Sequence, residues 1–151
     1  MELFQVIEDG EGIERAILQF LGDRGREASV SRCHPSLLVV SPQVAERGLS
    51  LPRRCRTVLL PGECPARLQA ASAVSYGLSP RDSLTVSSRE GTTLWAALQR
   101  EVVTVTGQVV ERQEFPLTLP PGTGELPLLA AAGALVLLGV PVSELEGSAL
   151  L

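Results

Sequence analysis

The sequence predicts an α/β domain built on a Rossmann-like mixed sheet: a parallel core, an antiparallel β-ribbon and flanking helices. Three observations predict it. Two short, largely apolar runs stand out: Leu37-Leu38-Val39-Val40, bounded by Pro35 and Ser41-Pro42, and Thr57-Val58-Leu59-Leu60, bounded by an arginine cluster and Pro61-Gly62, as strands buried on both faces of a parallel sheet are. An amphipathic segment, Glu11 to Leu21, precedes them. Two β-rich segments flanking Thr106-Gly107-Gln108 follow them, the pattern of an antiparallel hairpin.

In chain order, residues 2–8 alternate loosely and form a first strand. Ile13, Ala16, Ile17, Phe20 and Leu21 then recur at helical spacing, with Gly22 and Gly25 ending the helix. After the two apolar runs, Pro65 to Ala73 reads as a short helix and Ala73 to Gly77 as a third short strand. Asp82 to Ser88 alternates as another strand. The hairpin pairs Leu98–Thr106 with Gln108–Leu119, and Val103, Val105, Val109 and Phe115 are its inward set. Pro120-Pro121-Gly122 breaks the sheet, Thr123 caps a helix from Leu126 to Leu138, and a last short helix runs from Ser143 to Leu150. No repeat or linker interrupts the series, so residues 1–151 are read as one domain.

Composition excludes more chemistry than it proves. All thirteen basic residues are arginines and there is no lysine. A phosphate-binding loop of the G-x-x-x-x-G-K-[ST] kind is therefore impossible, as are Schiff-base chemistry and a lysine general base. A net charge of −4 argues against nucleic acid. Arg53, Arg54 and Arg56 are read as a solvated lead-in to a strand. Leu126 to Val142 is apolar over 17 residues. That length is at the bottom of the spanning range, and its Ala/Gly content suits a buried core helix better than a membrane span. The acidic N-terminus lacks a signal-peptide pattern, and Cys33, Cys55 and Cys64 show neither C-x-x-C nor zinc spacing. A cytoplasmic setting with free thiols, no metal and no cofactor is expected. Charged residues make up only 20% of the chain, which suits burial in a homo-oligomer or against a protein partner.

No catalytic set emerges. Cys33 and His34 are adjacent, and neighbours in an extended segment point to opposite faces; a semi-buried thiol and a loop histidine are expected. Cys64 stands at a strand-to-helix junction, where a helix N-terminus lowers a thiol pKa, and is the reactive-thiol candidate. Glu101, Glu111 and Glu114 share the ribbon with Arg100 and Arg112, where cross-strand ion pairing on a solvated face is expected. Glycine-containing turns at Pro61-Gly62 and Gly122-Thr123-Gly124 are candidates for backbone anion binding. Trp95 and Tyr76 are read as packing residues.

From Thr57 to Leu150 the order of segments resembles the central domain of Mur ligases, the ATP-dependent amide-forming enzymes of bacterial cell-wall precursor synthesis. TVLLPGECP stands for the first strand and turn, AVSYGLSPRD for the strand closing in Tyr-Gly, and QREVVTVTGQVVERQEFPLTL for the ribbon. LPPGTGELPLLAAAGALVLLGVPVSEL stands for the turn and Ala-rich helix. Tyr76-Gly77, Gly122, Ala130 to Ala132 and Gly139 match the scaffold. The phosphate loop is missing, Pro61-Gly62-Glu63 replaces the acidic turn, and Gly124, Glu125 and Leu128 stand where His and Asn are expected. The resemblance therefore implies a non-catalytic relative with an interaction or structural role. Its alternative is a sensor that keeps part of a nucleotide or UDP-sugar site. That site is expected beyond the carboxyl ends of the strands, at Ser41, Pro61, Gly62, Glu63 and Gly77. A thiol enzyme using Cys64 is a third class.

Overall fold

A computed structural model describes residues 2–48, 54–63 and 69–151, with the side chains of Arg54, Gln69 and Ala70 outside the description. The main body is one eight-stranded mixed sheet. Its parallel part uses β1 (Glu2–Ile7), β2 (Ala28–Val30), β3 (Leu37–Val40), β4 (Arg54–Pro61) and β5 (Gln69–Tyr76). Its antiparallel part uses β6 (Leu84–Glu90), β7 (Thr93–Leu98) and β10 (Gln113–Thr118). The spatial order is β10-β7-β6-β5-β4-β3-β1-β2. Along the parallel part, β2-β1-β3-β4-β5 is one of the two common doubly wound orders. The chain leaves β1 to one side and returns on the other, so the order reverses between β1 and β3.

The two apolar runs form strands because both of their faces are covered. Successive residues of a strand point to opposite faces: Leu37 and Val39 enter one hydrophobic cluster, while Leu38 and Val40 enter a second. On the first face lie α1 (Ile13–Asp23) and α3 (Glu125–Leu137), packed against each other and against the sheet. On the second face lies the short α2 (Pro42–Glu46), whose Ala45 joins Leu38, Val40 and Val58. α1 runs through Gly22 to Asp23, slightly longer than its glycines suggest.

Helix α3 is buried on every side from Leu128 to Leu137. Its 13 residues span about 20 Å, and among the described residues no helix is long and apolar enough to cross a membrane. It sits close to the sheet because Gly133 has no side chain: a Cβ there meets Leu59 Cδ2 at 3.0 Å and Leu84 Cδ2 at 3.1 Å.

Several sequence expectations are corrected. Residues 69–73 are strand, not helix, because β5 pairs with β4 from Arg54↔Gln69 to Pro61↔Tyr76; residues 65–68 lie outside the described residues. The hairpin turns at Gly107, whose φ of 89° suits glycine. Only β8 (Val102–Val103) and β9 (Val109–Val110) pair beside it, and the longer pairing is β7 with β10 in the main sheet. Val105 and Phe115 are buried as expected, but Val103 and Val109 are exposed at the hairpin tip. Gly124, not Thr123, is the N-cap of α3, without a side-chain cap. The last helix, α4, is only Val142–Leu145. Beyond it Gly147 N–H donates to Pro116 O and Thr118 N–H donates to Ser148 O, so the C-terminal segment covers the β10 edge.

Candidate functional site

Two groups of loops stand at the carboxyl ends of the parallel strands. The first is the reversal point between β1 and β3, where α1 and α2 begin. Free N–H groups at helix N-termini attract anions, but here the chain's own carboxylates occupy them. Glu8 Oε1 accepts from Ile13 N–H at 3.0 Å and Oε2 from Glu14 N–H at 2.8 Å. Glu11 Oε2 accepts from Gln43 N–H at 3.4 Å. Ser41, wholly buried, accepts from Val44 N–H through Oγ at 3.2 Å and caps α2. Arg47 pairs with Asp9 alongside. The sequence-predicted Ser41 is thus committed to the fold.

The second group lies at the ends of β4 and β5, around a cavity of about 310 Å³. Its lining includes Pro61, Gly62, Glu63 and Gly77, the other four residues singled out from the sequence, together with Tyr76, Leu78, Ser79, Asp82 and Leu126. The volume is at the lower end of the range of small-molecule sites. Parallel pairing explains the convergence: Pro61 is in register with Tyr76, so the residues that follow each of them enter the same space.

Asp82 is the residue that sequence reasoning missed. The alternating pattern places it in a strand, but it closes the Ser79-Pro80-Arg81-Asp82 turn before β6 and is only 4% exposed. Oδ2 accepts from Ser79 N–H at 3.1 Å. Oδ1 has no hydrogen-bond partner among the described residues, and no partnerless side-chain polar atom in them is sealed from solvent, so Oδ1 opens on the cavity. The turn is held from behind, because Gln99 Nε2 donates to Pro80 O and Asp82 O, and Arg100 donates to Arg81 O. The Asp82 carboxylate fits only because its neighbours are glycines: a Cβ on Gly62 lies 1.8 Å from Oδ1, and one on Gly77 lies 2.4 Å from Oδ2. Tyr76 closes the inner wall, its hydroxyl donating to Val40 O at 2.6 Å. The sequence signal for Asp82 is its place as one of three aspartates, in a proline turn after Tyr-Gly.

The remaining candidates are dispersed. Cys64 lies outside the described residues. Cys33 is exposed, not semi-buried, and His34 beside it is also exposed, its N–H donating to Ser31 Oγ. Glu101, Glu111 and Glu114 make no ion pair among the described residues; the pairs found there are Arg26–Glu144, Arg47–Asp9 and Arg89–Glu125. Gly122, with a φ of 82°, stands in the turn before α3 and is not among the residues that line this cavity. Among the described residues no group of three or more His, Cys, Asp or Glu side chains is placed to hold a metal ion. Burial pushes the Cys55 thiol above its ordinary pKa. No protein-family model matches the chain, and no curated protein matches its sequence.

Proposed function

We propose that this chain is a non-catalytic α/β domain that binds a small ligand in the cleft at the carboxyl ends of β4 and β5. One observation carries the reading: Pro61, Gly62, Glu63 and Gly77 converge on a single cavity whose floor is a buried, partly unpartnered carboxylate. Binding is favoured over catalysis because the Tyr76 hydroxyl is spent on the fold and no histidine or cysteine joins Ser79 among the described residues that line the cavity. Tyr76 donates to Val40 O, and Ser79 Oγ accepts from Arg81 N–H. The resemblance to the Mur ligase central domain supports the same reading, as a relative that kept the sheet and lost the phosphate loop. A reducing, cytoplasmic setting suits Cys33 and Cys55, both free thiols.

The test is a thermal-shift screen against nucleotides, UDP-sugars, amino acids and amines. A ligand at about 100 times its Kd adds about 2.7 kcal/mol, a shift of several degrees for a domain of this size. Leu78→Trp, at the exposed rim of the cleft, abolishes that shift. A flat panel, or a shift that survives Leu78→Trp, removes the cleft reading.

A second reading, an interaction domain or homo-oligomer, is favoured by the second sheet face. The hydrophobic cluster on that face is confined to β3, β4, α2 and Ile7. Beyond it Ala71 and Ser87 are exposed, and Leu78 is 61% exposed. Sedimentation equilibrium tests it: a strictly monomeric mass at high concentration removes the homo-oligomer.

A further inference from the structure

The chemistry of the cleft narrows the ligand, on the premise that the cleft is the binding site proposed for it. Two carboxylates, Glu63 and Asp82, line the cavity, and no arginine or histidine joins them among the described residues that line it. At the reversal point, where a doubly wound sheet offers helix N-termini to phosphates, Glu8 and Glu11 already fill the positions. A nucleotide or UDP-sugar therefore meets negative charge at both places. A bare metal ion lacks a third ligand among the described residues. The walls, meanwhile, are apolar: Pro61, Tyr76, Leu78 and Leu126.

We infer that the cleft takes an organic cation, a primary ammonium on an apolar body, with Asp82 Oδ1 as its acceptor. Oδ1 has no protein partner among the described residues and opens on the cavity, so a donor from the ligand fills an acceptor position that the fold leaves vacant. The ammonium supplies that donor together with the opposite charge. The turn that presents Asp82 is fixed on both sides, through Ser79 N–H in front and Gln99 behind, so little ordering remains to be done on binding. Glu63, exposed at the rim, adds a second, solvent-screened attraction.

Three matched probes test it: benzylamine, benzyl alcohol and benzyl phosphate, titrated into the labelled full chain while the backbone amides of Gly62, Gly77 and Ser79 are followed by NMR. Benzylamine moves these amides saturably and binds about tenfold tighter than benzyl alcohol, the worth of one charge-assisted hydrogen bond. Benzyl phosphate leaves them unmoved. Asp82→Asn removes the preference for the amine and leaves the alcohol's affinity in place. Should Asp82→Asn not fold, Glu63→Gln at the exposed rim gives the comparison, with a smaller loss for the amine alone. Equal affinity for amine and alcohol, or tighter binding of the phosphate at these amides, overturns the inference while the cleft stands. If none of the three probes moves them, the cleft reading itself fails.

Discussion

Gly62 and Asp82 share a volume that admits only one side chain, with a Cβ on Gly62 lying 1.8 Å from Asp82 Oδ1. Gly77 stands in the same relation to Oδ2, at 2.4 Å. The ends of β4 and β5 are thus shaped around one carboxylate from the turn before β6. Neither glycine has a positive φ, so an alanine there is costly for steric reasons and not because of backbone conformation. Gly62→Ala is expected to destabilise the protein by about 2 kcal/mol, the cost of forcing a methyl group into space the Asp82 carboxylate fills. Combining it with Asp82→Ala recovers more than about 1 kcal/mol relative to the sum of the single changes. Urea denaturation of the four proteins measures the cycle, and strict additivity would show that the two residues do not compete.

Tyr76 ties the end of β5 to the end of β3 through its hydroxyl on Val40 O, with the ring wholly buried. Tyr76→Phe keeps the ring and loses the bond. A loss of about 1 kcal/mol is expected, without a change in ligand affinity, because the cleft wall is the ring and not the hydroxyl. An unchanged denaturation midpoint would show the bond to be worth nothing net.

Glu8 closes the N-terminus of α1 with both of its oxygens. Glu8→Ala is expected to cost about 1 kcal/mol, as loss of a helix cap does. It also frees the Ile13 and Glu14 N–H groups for an external anion. Sulfate should therefore raise the melting temperature of Glu8→Ala more than that of the parent protein at equal ionic strength. Equal responses would mean that the site is not vacated.

Burial raises the Cys55 thiol above its ordinary value of 9.0. Well below that value folded and unfolded chains both hold the proton, and stability is unaffected. As pH rises through the unfolded value, the unfolded chain releases its proton first, and stability falls until the folded thiol also ionises. Cys55→Ser should flatten that part of the decline in a stability profile taken from about pH 8 to about pH 11. In the folded protein, iodoacetamide at about pH 8 should label exposed Cys33 before Cys55, as read by peptide mapping. Faster labelling of Cys55 would contradict its burial.

Leu37–Val40 and the heart of β4 are legible in the sequence because strands covered on both faces leave continuous apolar runs. The stripe of α1 and the all-round apolarity of α3 are legible for a related reason, since each records how much of a helix meets the core. Residues 69–73 are not: Gln-Ala-Ala-Ser-Ala has the composition of a helix, and pairing with β4 overrides it. β2 is three half-buried residues with no pattern of their own, defined only by register with β1. β7 carries Trp95-Ala96-Ala97 between Leu94 and Leu98, and its strand character comes from its two antiparallel neighbours.

The site divides the same way. The sequence by itself determined what the protein cannot do with a lysine, where apolar runs must be buried, and that loops after buried strands are the places to look. Those are consequences of composition and of local contact with water, which each segment carries within itself. Only the tertiary structure decided that Ser41 is spent as a cap, that Glu8 fills the helix end an anion would use, and that Asp82 fits between Gly62 and Gly77. Those relationships join residues that are distant along the chain or lie in separate elements. They exist because β-sheet register brings the ends of β4 and β5 side by side, and no local pattern specifies which neighbour a carboxylate will meet.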